Sequence, residues 1–245
     1  MKNPDFSIPD YITLSNGILG FIAITYILDG RPWISSILIT ICIGLDGLDG
    51  WLARRWGEEH LLGTYMDVFA DTLSFCFAPA LILYYHYYNI ELGPVTQSIQ
   101  NGAAYVVPVM LVFFGILRLG RFSTESGKKE NYTGLPTPIV AFVVVTSTAL
   151  FGRDALLAYR PILALGITFI LGSMLYSRVP YPKVRGPFLT LAGSFLLIIT
   201  LVGLILAKIS YPMGAILLLI STVISLGYVI TGPLLVLKHG KENGS

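Results

Sequence analysis

The stretch DGLDGWLARRWGEEHLLGTYMDVFAD, residues 46–71, decides how this chain is read. It joins two apolar runs, 33–53 and 63–89, each long enough for the roughly 20 residues of a transmembrane helix. Carboxylates inside such runs are rare and costly, so each one needs a reason. Asp46 and Asp49 are spaced i,i+3 near the end of the first run, and Asp67 and Asp71 are spaced i,i+4 near the start of the second. Either spacing puts both carboxylates on one helix face. The short link predicts antiparallel neighbours, so all four carboxylates can converge. From the helical rise, Asp49 lies about 7 Å before Arg54, and Asp67 and Asp71 about 6 and 12 Å beyond Gly63. The cluster is therefore expected just beneath one membrane surface, where a lipid headgroup meets soluble molecules.

The rest of the chain agrees with a membrane setting. Of 245 residues, 54% are hydrophobic and 12% charged, with a mean hydropathy of +0.73. A soluble domain carries about 25% charged residues, so a water-soluble protein and a disordered chain are excluded. Sixteen Lys and Arg against fourteen Asp and Glu give a net charge of +2, too small for a nucleic-acid partner. Cys42 and Cys76 both lie in apolar runs, so no disulfide framework is expected.

Eight apolar runs are long enough to be read as spans: 11–28, 33–53, 63–89, 103–122, 136–151, 161–177, 187–207 and 212–237. Pro136, Pro161, Pro187 and Pro212 stand at or near the starts of the last four, where a missing N–H costs least. Residues 4–10 read as a short interfacial segment. The first run lacks a basic leader, so it is expected to be retained rather than cleaved. With the N-terminus inside, the cytoplasmic segments hold Lys2, Arg54, Arg55, Arg118, Arg121, Lys128, Lys129, Arg178, Lys183, Arg185, Lys238 and Lys241. The other side holds Arg31, Arg153, Arg160 and Lys208. This asymmetry predicts both termini in the cytoplasm and an even number of spans. The expected fold is an all-α, multi-pass protein of the cell membrane, one domain over 1–245, with six helices to about 180 and two more over 186–237. The Tyr84–Tyr88 cluster around His86 reads as an aromatic belt at the outer interface.

Between residues 46 and 71 six acids face two arginines, Arg54 and Arg55. An ion-pair network holding two helices together is the plain structural reading. It leaves too few cations, because converging carboxylates repel or take up protons. Divalent cations relieve that repulsion, and oxygen-only ligands suit Mg²⁺, Mn²⁺ or Ca²⁺. A cation transporter is an alternative, but such sites sit near the midplane and often accompany repeats, and this chain shows neither feature.

The residues Asp46, Asp49, Gly50, Ala53, Arg54, Gly63, Asp67 and Asp71 match D-x2-D-G-x2-A-R-x8-G-x3-D-x3-D at every position. In this the chain resembles the CDP-alcohol phosphotransferase family. The resemblance implies a membrane enzyme that moves a phosphatidyl-type group from a CDP-linked donor to an alcohol and releases CMP. It implies two divalent cations, Mg²⁺ or Mn²⁺ with Ca²⁺ able to occupy the site, on Asp46, Asp49 and Asp67. Asp71 contributes to that site and acts as general base. It further implies that the cytidine nucleotide lies against Gly50, Ala53 and Gly63, with Arg54 near its phosphates, and that the enzyme is a homodimer.

Further stretches resemble the serine-accepting branch of that family: Leu117–Phe122 (LRLGRF), Tyr132–Pro138 (YTGLPTP) and Val179–Lys183 (VPYPK). Gly120 and Ser123 depart from the usual Ala and Asn. The early Thr13-Leu-Ser-Asn16 also fits, with Asn16 a polar contact to the nucleotide or metal shell. Arg118, Arg121 and Lys183 are the candidates for serine's carboxylate or a donor phosphate. Their plain alternative is topological: cations snorkelling to the headgroups. Glycerol 3-phosphate or inositol phosphate stays open as acceptor.

Overall fold

The computed structural model describes residues 7–56, 61–88, 94–125, 132–151, 161–182 and 187–242. Helix α1 (Ile8–Leu28) starts at a capping box in which the Ser7 N–H and hydroxyl both donate to Asp10 Oδ2, at 2.7 and 2.8 Å. It ends at Gly30, whose φ of +73° suits a residue without a side chain. Thr13, Asn16, Gly17, Gly20, Ala23 and Ile27 recur at helical spacing and are buried. The small ones set the approach distance. A Cβ on Gly17 would lie 3.2 Å from the Ala70 Cβ, and one on Gly20 would overlap Ser74.

Helix α2 (Pro32–Trp56) packs along α1, which also lies against α3 (Leu61–Asp71). The rod that begins as α3 passes into a π-helical turn, Thr72–Phe77, and continues as α4 (Ala78–Tyr87). Nothing in the apolar pattern announces this turn, which begins one residue after Asp71. Helix α5 (Pro94–Glu125) packs against α4 and α7 (Pro161–Leu175). A Cβ on its Gly115 would collide with Cys76. Cys42 and Cys76 are both free and buried.

Helix α6 (Thr137–Phe151) is the centre of the bundle. Every residue from 140 to 148 is buried, as expected of a helix apolar on all sides. Val140, Val143 and Val144 enter one core cluster, with Leu83, Leu111 and Leu175. Ala141 and Val145 enter a second, with Ala23, Ile39 and Phe75. The hydroxyls of Thr146, Ser147 and Thr148 are satisfied within the helix; Thr148 Oγ1 donates to the Val144 carbonyl at 2.7 Å.

Helices α8 (Pro187–Ile209) and α9 (Tyr211–Glu242) form a tight pair. Thr200 Oγ1 donates to Ser221 Oγ at 2.9 Å, and Gly214 leaves no room for a side chain against Ala207. The pair packs on α2 and α6, and the Tyr211 hydroxyl donates to the Leu150 carbonyl at 2.9 Å. Outward faces carry large apolar side chains such as Phe21, Phe113, Phe195 and Ile230, all more than half exposed.

Among the described residues the fold is helical apart from one two-stranded ribbon, and it is that of a multi-pass membrane protein. Among them, by length and composition, six helices can cross a bilayer, against the eight spans expected. The two that fall short are Thr137–Phe151 and Ala164–Leu175. At 15 residues, α6 extends about 22 Å, less than the ~30 Å hydrocarbon core, and it is shielded by protein rather than facing lipid.

Candidate active site

Helix α2 presents Asp46 and Asp49, and α3 presents Asp67, with one carboxylate oxygen of each lying within 4.8 Å of the other two. The link between these helices lies outside the described residues, yet the two acidic faces meet as their spacing requires. Asp49 is 5% exposed, whereas Asp46 and Asp67 are half-buried and reachable. Three carboxylates at this separation, with oxygen donors only, fit a hard divalent cation. Asp71 stands one helical turn beyond Asp67 and outside this trio, and is itself 5% exposed.

Helix α1 supplies the supports. Thr13 Oγ1 donates to Asp49 Oδ2 at 2.7 Å, and Asn16 Nδ2 reaches Asp71 Oδ1 at 3.4 Å. These two residues are spaced i,i+3, so one face of α1 touches one acid from each helix. Asn16 is held through its backbone: its carbonyl accepts from Ser74 Oγ at 3.0 Å and from Cys42 Sγ at 3.5 Å. Its Oδ1 is buried with no hydrogen-bond partner among the described residues. Ser74 belongs to the π turn, so that turn helps fix the residue that reaches Asp71. Sequence reasoning singled out Asn16 and gave Thr13 no role. The available signal was two polar residues on the buried face of an otherwise apolar helix.

The two arginines of α5 part company. Arg118 is 5% exposed and does not snorkel. Its Nη1 donates to Thr137 Oγ1 at 2.8 Å, and its guanidinium lies over the rings of Phe122 and Tyr132, at 5.4 and 5.8 Å from their centroids. It lies within electrostatic reach of Asp67 and Asp71, and its Nε is buried with no hydrogen-bond partner among the described residues. Arg121 instead donates to the carbonyls of Tyr176 and Ser177, both at 3.2 Å, and stacks 3.8 Å from the Tyr176 ring centre. It closes the C-terminal end of α7, a structural task that its spacing from Arg118 did not disclose.

The motif stretches 132–138 and 179–183 meet in the ribbon. Strands β1 (Tyr132–Thr133) and β2 (Pro180–Tyr181) are antiparallel, with Tyr132 opposite Tyr181. Gly134, at φ +84°, donates its N–H to the Val179 carbonyl at 2.9 Å, and a side chain there would strike the Leu175 carbonyl. Burial raises the Tyr181 phenol above the ordinary tyrosine value, so it remains a donor to the Val229 carbonyl at 3.3 Å. Gly50, Ala53 and Gly63 are half-buried at the facing ends of α2 and α3. The side chain of Arg54 and all of Lys183 lie outside the described residues. His86, read as an interfacial residue, is buried beside the rings of Tyr85 and Tyr87, while Tyr84, Tyr88 and Tyr105 form an aromatic group of their own.

Beside the acids, an apolar groove of about 700 Å³ runs between α1 and α3. Leu14, Ile18 and Phe21 form one wall, and Met66, Phe69 and Ala70 the other. Exposed Ile18, Phe21 and Phe69 open it towards the outside of the bundle.

Comparison with known proteins bears on this arrangement. A family model described as CDP-alcohol phosphatidyltransferase matches residues 6–174. An archaetidylserine synthase of Methanothermobacter thermautotrophicus is 33% identical over 187 residues, 74% of this chain and 71% of its own. A CDP-diacylglycerol–serine O-phosphatidyltransferase of Helicobacter pylori is 30% identical over 186 residues, 75% of each chain. One of the same name from Saccharomyces cerevisiae is 27% identical over 205 residues, 71% of this chain and 70% of its own. The matched region runs from α1 to α7 and takes in the whole acidic cluster and Arg118. The chain belongs to the CDP-alcohol phosphatidyltransferase family.

Proposed function

We propose that this protein transfers a phosphatidyl-type group from a CDP-linked diradylglycerol to the hydroxyl of L-serine and releases CMP. The observation that carries this reading is the convergence of Asp46, Asp49 and Asp67 within 4.8 Å, beside Asp71 and the buried Arg118. The names of the relatives, serine O-phosphatidyltransferases and an archaetidylserine synthase, support serine as acceptor.

Asp46, Asp49 and Asp67 would hold divalent cations, two Mg²⁺ or Mn²⁺, which would supply positive charge for the diphosphate and for departing CMP. Thr13 fixes the orientation of the Asp49 carboxylate. Gly50, Ala53 and Gly63 admit the nucleotide closely to α2 and α3, and Arg54 meets its phosphates. The groove between α1 and α3 takes an alkyl chain of the donor, which brings the lipid phosphorus up to the acids. Asp71, held by Asn16, accepts the serine hydroxyl proton as that oxygen bonds to the lipid-bearing phosphorus. The bridging P–O bond breaks, and its electron pair leaves with CMP. Arg118 meets the serine carboxylate through its unpaired Nε edge, a planar donor for a planar acceptor. Lys183 joins it from the VPYPK stretch.

The charge asymmetry supports a site facing the cytoplasm and eight helices within the bilayer, with α6 enclosed by the others. A homodimer is the assembly we assign, on the strength of the family resemblance.

The test supplies purified protein with a CDP-linked lipid and Mg²⁺ or Mn²⁺, and offers serine, glycerol 3-phosphate and inositol phosphate in turn. Serine-dependent CMP release with a new aminolipid is expected. Release with a phosphorylated alcohol alone would overturn serine as acceptor. Running ester- and ether-linked donors side by side identifies the lipid.

A further inference from the structure

The C-terminal helix α9 lies outside the stretch that the family model matches, yet it grips the ribbon next to Arg118. The Tyr228 hydroxyl donates to the Pro182 carbonyl at 3.0 Å, and the Tyr181 hydroxyl donates back to the Val229 carbonyl at 3.3 Å. The rings of Tyr181 and Tyr228 lie 5.9 Å apart at 30°. One turn along the same face, a Cβ on Gly232 would lie 3.1 Å from Tyr181 Cδ1 and 3.2 Å from Pro182 Cδ. Tyr181 pairs with Tyr132, and the Tyr132 ring covers the Arg118 guanidinium. Tyr228 is itself within electrostatic reach of Tyr132 and Arg118.

A chain of direct contacts therefore runs from α9 through β2 and β1 to the arginine. The alternatives for α9 are an anchor that adds apolar surface or a plain packing partner of α8. Neither calls for two reciprocal side-chain-to-backbone bonds on one short turn, nor for a helix position open enough to seat an aromatic ring and a proline. The turn they hold, Tyr181–Pro182, is the middle of the VPYPK stretch and immediately precedes Lys183.

We infer that Tyr228 and Gly232 of α9 are positioning residues for the acceptor pocket. They hold the 180–182 turn so that Tyr132 seats Arg118 over the site. The inference rests on the serine reading above and reaches further, because it assigns a catalytic purpose to the last helix. Tyr228→Phe keeps the ring and removes the hydroxyl donor. Gly232→Leu pushes a side chain into the Tyr181 and Pro182 contact.

The experiment measures serine KM, donor KM, kcat and thermal stability for purified full-length variants. Losing one buried hydrogen bond predicts that Tyr228→Phe raises serine KM about threefold to tenfold. Donor KM should stay within about twofold of wild type, because α9 contributes none of the described residues that line the groove or form the acidic trio. Gly232→Leu should act in the same direction and more strongly; if it does not fold, Tyr228→Phe carries the test. In an Arg118→Ala background, Tyr228→Phe should raise serine KM no further. Unchanged serine KM in Tyr228→Phe overturns the inference, as does an equal rise in serine and donor KM or a full additional effect without Arg118. Wild-type protein that releases no CMP with serine overturns the acceptor reading itself, a result that the parent enzyme gives before any variant is made.

Discussion

The bond from Thr13 to Asp49 offers a demanding test of how the acidic cluster is held. Thr13 is 6% exposed, its hydroxyl lies 2.7 Å from Asp49 Oδ2, and Asp49 is 5% exposed. Thr13→Val keeps the branched shape and replaces that hydroxyl with a methyl group. A hydrogen bond to a charged group contributes about 1.5–3 kcal/mol, and Thr13→Val removes this one from a buried carboxylate. Converted at about 1.4 kcal/mol per decade, this gives a change of about 10- to 150-fold. That range overlaps the roughly 10- to 100-fold cost of removing residues that orient metal ligands. We expect it in the concentration of Mg²⁺ or Mn²⁺ giving half-maximal CMP release, measured at saturating donor and serine. Turnover at high metal should return to within a few-fold of wild type. Thr13→Ser, which keeps the hydroxyl, should restore the wild-type titration. A Thr13→Val enzyme that folds and titrates like the parent would refute the idea that α1 orients Asp49.

Other substitutions separate the roles assigned to neighbouring residues. Asp71→Asn should bind donor normally and lose at least about 100-fold in turnover, the usual scale of a general base; near-normal turnover would remove Asp71 from proton transfer. Arg118→Ala should raise serine KM by about 10-fold or more, while Arg121→Ala should lower thermal stability through the end of α7 and leave serine KM alone. An equal serine effect from both would mean that the structural division between them is irrelevant to binding. Ile18→Trp should fill the α1–α3 groove and raise KM for a long-chain donor more than for a short-chain one. Equal KM values for the two donors would place the lipid elsewhere.

The acidic site was legible because its logic is local: i,i+3 and i,i+4 spacings survive any arrangement of the other helices. What packs against those faces was not legible, since Thr13 and Asn16 precede Asp49 and Asp71 by 36 and 55 residues. Arg118 and Arg121 show the same limit. At i,i+3 they read as one cationic face, but the ribbon and the end of α7 draw one inward and the other onto backbone carbonyls. Hydropathy found the helices yet could not tell bilayer from protein as the apolar surroundings of α6, because valine reports only the absence of water. The π turn at Thr72–Phe77 has no signature in composition and follows from tertiary contacts at Ser74 and Cys76. The link from α9 to Tyr132 needs three elements in contact, a relation that periodicity does not carry.

The most direct measurement of the central claim is the stoichiometry of the reaction at the aspartate cluster. Purified protein would receive a CDP-linked lipid, labelled serine and Mg²⁺, with CMP and lipid-bound serine counted together. The account predicts one lipid-bound serine for each CMP released, both abolished by chelation and by Asp67→Asn. CMP released without lipid-bound serine, or a full yield after chelation, would contradict it.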